Sequence, residues 1–153
     1  MNLDPSAFVA DPVLIQGLEK QSTPICCREE RVLFSQGDDP VGLFVLKSGP
    51  VTLKMTSPAG KELVSVEAAD GSLLGLPGLI GNEPYTLSAV AHAGAELNFL
   101  TRESFADLMR TDPMLALKVL RVLAAEVRSA RSAILEQSAQ KPKRRRLTPA
   151  RRA

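Results

Sequence analysis

The sequence predicts a mainly β domain with flanking helices. The expected fold is an antiparallel β-roll of the double-stranded β-helix or jelly-roll type, followed by a long C-terminal dimerisation helix. Three observations predict it. Short β-type runs recur at spacings of about ten residues with Gly or Pro turns between them. The pattern changes from strand to helix period near Thr101. The last periodic segment, residues 112–137, carries an apolar face broader than a small roll can cover.

Taken in order, residues 11–19, DPVLIQGLE, read as a short helix that Asp11 caps and Pro12 opens. The β-roll is expected over residues 28–101. Its runs are 31–34, 42–47, 51–55, 61–66, 87–91 and 96–100, divided by QGDDP, SGP, SPAG and AADG. Gly37, Gly49, Gly60 and Gly71 stand where tight turns call for a positive φ. Between residues 71 and 91, GSLLGLPGLIGNEPYTLSAVA is framed by glycines like a phosphate-holding loop. It contains no Lys, Arg or His, and its one anion is Glu83. A helix over 102–110 starts with Thr101 and Ser104 in a capping arrangement, and Phe105, Leu108 and Met109 form its apolar face. Asp112 and Pro113 start the long helix. Leu117, Leu120, Ala124, Val127 and Ile134 line one side of it at intervals of three and four, and Val119, Val122 and Leu123 widen that stripe. The roll can cover the first turns. From about Ala124 the helix is expected to project and meet a second helix, which makes the chain a homodimer.

Composition fits this outline. At 153 residues, 44% hydrophobic and 24% charged, the chain is a single globular domain with room for a core, expected over residues 11–137. Its net charge of +2 hides an asymmetry. Residues 138–153 form a basic tail expected to be disordered, with Lys141, Lys143, Arg144, Arg145 and Arg146 at its centre. Seven of the 19 basic residues lie there, so the remainder holds 12 basic against 17 acidic residues, a net of −5. The tail is suited to weak contact with nucleic acid or an acidic protein. No signal-peptide pattern opens the chain and no apolar run approaches the ~20 residues that span a bilayer, so a cytoplasmic location is expected. The adjacent Cys26 and Cys27 fall short of a four-ligand metal site and read as a partly buried thiol pair. His92 is the only histidine, so no metal site and no nucleophile–base pair can be assembled around a second one; no catalytic residue is expected.

The order of short helix, roll, glycine-framed loop, helix and long helix resembles the cyclic-nucleotide-binding domain, most closely the effector domain of Crp/Fnr-type bacterial transcription regulators. The resemblance covers residues 11–135. It rests on LFSQGDDPVGLFVLKSGPVTL, with its Gly-Asp and Ser-Gly turns, and on ELNFLTRESFADLMRTDPMLALKVLRVLA, with its Arg-x-x-Phe helix start. The resemblance implies a non-enzymatic sensor or regulatory module that signals through the dimer helix.

It also implies a ligand cassette over residues 75–86, comprising Gly75, Leu76, Pro77, Tyr85 and Thr86. In cAMP-binding members a Glu after the first Gly holds the ribose, and an Arg before a Ser or Thr holds the cyclic phosphate. Here Gly75 and Thr86 are kept, while Leu76 stands at the Glu and Tyr85 at the Arg. The usual cAMP and cGMP contacts are largely absent, and no cofactor is expected. Losing the partner of a buried charge costs on the order of 2–5 kcal/mol. Three readings follow: a degenerate cassette packed by Leu76, Leu79 and Tyr85; a different, less anionic ligand; or a weak anion site on backbone N–H groups, from which Pro77 removes one donor. The family's winged helix-turn-helix has no counterpart before the chain stops. Two functional alternatives therefore stand beside the sensor: a ligand-free docking protein, and a truncated DNA-binding regulator.

Overall fold

The computed structural model describes residues 1–140. Two four-stranded antiparallel sheets face each other. The first has the order β1 (Thr23–Cys26), β8 (Glu96–Thr101), β3 (Gly42–Ser48), β6 (Leu73–Leu74); the second has β2 (Arg31–Phe34), β7 (Ser88–Ala91), β4 (Val51–Thr56), β5 (Glu62–Glu67). Helices α1 (Pro12–Glu19), α2 (Leu76–Gly81), α3 (Arg102–Thr111) and α4 (Pro113–Gln140) lie against this roll, and a 3-10 turn, Pro5–Phe8, precedes them.

The strand β3 shows why the two layers hold together. Its run Leu43-Phe44-Val45-Leu46 is apolar at every position because both faces are covered. Leu43 and Val45 join Leu73, Leu100 and the helices in one cluster. Phe44 and Leu46 join Phe34, Leu53, Leu74 and Leu97 in a second cluster between the sheets. The turns behave as expected: Gly37, Gly49, Gly60 and Gly71 have φ values of +94°, +98°, +87° and +89°. At Gly49 a Cβ would meet the Ala95 Cα at 2.6 Å, so no side chain fits the turn.

The helix starts follow their caps. Asp11 Oδ1 accepts from Leu14 N at 2.8 Å, Thr101 Oγ1 from Ser104 N at 3.1 Å, and Asp112 Oδ1 from Leu115 N at 3.2 Å. Phe105 and Leu108 are buried, as the periodicity of α3 requires.

Four expectations change. The roll starts earlier than residue 28, because β1 pairs with β8 through Thr23 to Cys26. That strand is mostly exposed and holds a proline and one cysteine, so it lacks an alternating apolar signature. The pair Leu73–Leu74 adds a strand too short to read from the sequence. Helix α4 continues to Gln140, so residues 138–140 belong to it and not to a tail. Lys141, Lys143, Arg144, Arg145 and Arg146 lie outside the described residues. Finally, the inner face of α4 is not left bare beyond Ala124. The N-terminal segment ahead of α1 packs on it: Ala7 and Phe8 are buried, Ala133 is 2% exposed, and Asp4 N donates to Ser129 Oγ at 2.9 Å.

Candidate functional site

The site is built where α2 leaves the roll. Gly75 caps α2 with φ +92°, and a Cβ there would meet the Tyr85 ring at 2.8 Å. The glycine is thus needed both for its backbone angle and for the ring laid on it. The loop ends at Asn82, in the left-handed region at φ +53°, where Glu83 N returns to Gly78 O at 3.0 Å. Arg102, at the start of α3, clamps this end by donating to Asn82 Oδ1 and to Pro40 O.

Tyr85 closes the loop from inside. It is 3% exposed and stacks on Phe34 with ring centroids 4.1 Å apart. Its hydroxyl donates to Gly42 O at 3.0 Å and accepts from Val41 N at 3.0 Å. The ring and its hydroxyl are therefore fully engaged with the protein. Leu76 and Leu79 do not share this task. Both are buried, but they turn to the helical layer with Leu14, Leu18 and Phe105, so the expectation that they pack the cassette is corrected. Helix α2 buries Leu76 and Leu79 in the helical layer, away from the loop, and leaves Ile80 exposed.

What space remains is small. Between Phe34, Leu74, Gly75, Tyr85 and Glu126 lies a cavity of about 20 Å³, enough for one water molecule. Nucleotide-sized ligands occupy clefts of roughly 300–1,000 Å³. A second cavity of about 220 Å³ opens beside it, between the roll, the N-terminal segment and α4. The two share Phe8, Pro77, Thr86, Leu87 and Glu126 as a common wall. Thr86 stands exposed at this rim. Among the described residues no Lys, Arg or His side chain lines either space.

Glu126 is the residue that reading the sequence missed. Its Oε2 is fully buried without a hydrogen-bond partner, and burial pushes its carboxyl up to about 8. A signal for it exists. Leu115, Val119, Val122, Glu126 and Ala133 fall in register at intervals of four, three, four and seven, and the other four are buried, so an acid interrupts an inward face. That register also corrects the assignment of Val119 and Val122, which line the inner side of α4 and not the outer stripe. Leu117, Leu120, Ala124, Val127 and Ile134 do share one face, and all five are exposed.

His92 and the cysteines sit apart from the loop. His92 Nε2 lies 2.8 Å from Thr52 Oγ1, which donates to Glu67 at 2.8 Å, while Nδ1 lies 3.4 Å from Glu30. Cys26 is exposed and Cys27 buried, and neither is bridged. Among the described residues no group of three or more His, Cys, Asp or Glu side chains could hold a metal ion.

Residues 25–112 match the family described as the cyclic nucleotide-binding domain, more than half of the chain. The chain belongs to that family. It is 34% identical over 98 residues to a cyclic AMP receptor protein of Thermus thermophilus, a match covering 64% of this chain and 45% of the relative. The crystal structure of the Thermus thermophilus catabolite activator protein superposes with a TM-score of 0.67 at 28% identity, covering 89% of this chain and 62% of that one. The N-terminal domain of a Streptomyces coelicolor transcriptional regulator gives 0.61 at 25% identity, with 85% and 93% covered. This domain is thus of the Crp/Fnr type, and it spans less than half the length of the curated relative it matches. No helix among the described residues is long and apolar enough to cross a membrane.

Proposed function

We propose that this domain is a non-enzymatic regulatory module whose cassette has kept the family's backbone and exchanged its nucleotide chemistry for an aromatic lock. One observation carries the reading: the Tyr85 ring, stacked on Phe34 and bonded to Gly42, fills the loop and leaves about 20 Å³. A cyclic phosphate there would have no side-chain cation to meet. Its burial without paired charge or several hydrogen bonds is strongly unfavourable.

The output element in this reading is α4. Its exposed face carries Leu117, Leu120, Ala124, Val127 and Ile134 at coiled-coil spacing, a seam suited to a second copy of the chain. A homodimer formed there would transmit any shift of α4 against the roll, provided a ligand prefers one of the two arrangements. A purely structural docking role is favoured by the closed loop, but the adjoining cavity of about 220 Å³ favours the sensor. Action on DNA, and any role for Lys141, Lys143 and Arg144 to Arg146 in it, rests on the resemblance to transcription regulators.

Calorimetry with cAMP and cGMP tests the cassette. The expected result is no binding tighter than micromolar, and tighter binding by either would overturn the proposal. Sedimentation of the wild type against Leu120→Lys and Val127→Lys tests the seam. The wild type is expected to sediment as a dimer and the variants as folded monomers, because both positions are about half exposed in the single chain.

A further inference from the structure

The cleft beside the closed loop has a chemistry of its own. Its wall is apolar, with Leu3, Phe8, Met55, Pro77, Leu87 and Leu123 contributing. Into that wall α4 sets one carboxyl, Glu126, whose Oε2 finds no donor. The other titratable groups that line the two cavities each have a partner elsewhere. The Tyr85 hydroxyl is bonded to Gly42, and the Met1 ammonium donates to Leu63 O at 3.2 Å. The proposed dimer seam touches this space at Val127, but Glu126 itself points away from the seam. At 3.6 residues per turn Glu126 stands about 160° around the helix from Ala124 and about 100° from Val127, facing the roll.

We infer that this cleft binds a small, mainly apolar molecule bearing one protonated amine, with Glu126 as its counter-ion. An anion is disfavoured because the one cation that lines the space, the Met1 ammonium, already donates to Leu63 O, and Glu126 would repel it. An apolar body matches the lining, and a volume of about 220 Å³ suits six to eight heavy atoms, given that roughly 150 Å³ accepts benzene. The amine is favoured over a neutral donor because a charge-assisted hydrogen bond is roughly twice as strong. It also removes the desolvation penalty that keeps Glu126 protonated, the raised carboxyl near 8 being the mark of that penalty. Binding would release a proton from Glu126 and tie α4 to the roll, which makes this the ligand-dependent shift that the sensor reading requires. The inference rests on that reading of the cleft as the sensing site.

Titration calorimetry of the full chain with benzylamine, benzyl alcohol, benzoate and cAMP, at pH 6.5 and 8.5, tests it. Benzylamine is expected to bind at least tenfold tighter than benzyl alcohol and to tighten as the pH rises and Glu126 ionises. Benzoate is expected not to bind. Glu126→Gln should weaken benzylamine tenfold or more and leave benzyl alcohol unchanged. Benzylamine no tighter than the alcohol, unaffected by Glu126→Gln, or weaker at pH 8.5 than at 6.5 overturns the inference, and the wild-type pH comparison holds even if the variant folds poorly. The cAMP arm separates the two claims. Tight cAMP binding removes the proposed cassette reading, whereas inert cAMP with no response to benzylamine removes only the amine.

Discussion

Tyr85 and Glu126 face the same narrow space from opposite sides, and they treat it in opposite ways. Tyr85, on the loop, has its ring stacked and its hydroxyl doubly bonded. Glu126, on α4, has a buried oxygen with no bond at all. A side chain whose bonds are complete stabilises the domain and has nothing left to offer a ligand. One left incomplete lowers stability and waits for a partner. The contrast locates the stable part of the site in the loop and its reactive part on the helix, the reverse of the distribution that the charged cassette of the resembling regulators implies.

Substitutions at four positions break or sharpen this contrast. The largest effect is expected at Tyr85→Ala, which removes the stacked ring and opens a cavity. Thermal or urea unfolding should show a loss of about 3–5 kcal/mol, and Tyr85→Phe a smaller loss of about 1–3 kcal/mol, because Gly42 O and Val41 N lose their partner. Glu126→Leu should act in the opposite direction. The folded carboxyl titrates near 8 against an ordinary 4.5, so its protonated form stabilises the fold fully below pH 4.5 and that contribution is lost as pH rises through 8. Replacing it should raise stability at pH 8 by roughly 2–4 kcal/mol and flatten the decline between pH 4.5 and 8 in denaturation measured across that range. A decline of unchanged slope in the variant would show that Glu126 is not the group responsible.

Gly75→Ala should lose about 1–3 kcal/mol, since the positive φ and the Tyr85 ring both resist a Cβ. If the same substitution is silent in a Tyr85→Ala background, the ring and not the backbone angle sets its effect. The smallest change is expected at the exposed pair that joins α1 to α4, Lys118 Nζ to Asp11 Oδ2 at 2.8 Å. The hydrogen bond from Lys118 holds the Asp11 carboxyl below its ordinary 3.8. Its contribution is present above that value and lost as pH falls. Lys118→Met should leave the melting temperature at pH 7 nearly unchanged and weaken this acid-side dependence, the part due to the Leu14 N–H bond to Asp11 remaining.

Much of the fold was legible in the chain. The turns at Gly37, Gly49, Gly60 and Gly71, the caps at Asp11, Thr101 and Asp112, and the apolar faces of α3 and α4 are local signals, set by φ, by hydrogen-bonding side chains and by periodicity. The strand Thr23–Cys26 was not legible, because an exposed edge need not alternate. Nor was the N-terminal segment, whose packing on α4 depends on a helix more than a hundred residues away. At the site, Gly75 and Tyr85 could be named from the loop alone, but the direction in which Leu76 and Leu79 point could not.

The sequence by itself therefore determined the family, the order of elements and the absence of a cation from residues 71 to 91, since each is a property of residues near one another along the chain. Only the tertiary structure decided that Tyr85 fills the loop, that Leu76 turns away from it, and that Glu126 enters the cleft unpaired. Burial and pairing depend on which surfaces meet, and those surfaces come from the loop, the sheets, the N-terminal segment and the last helix together.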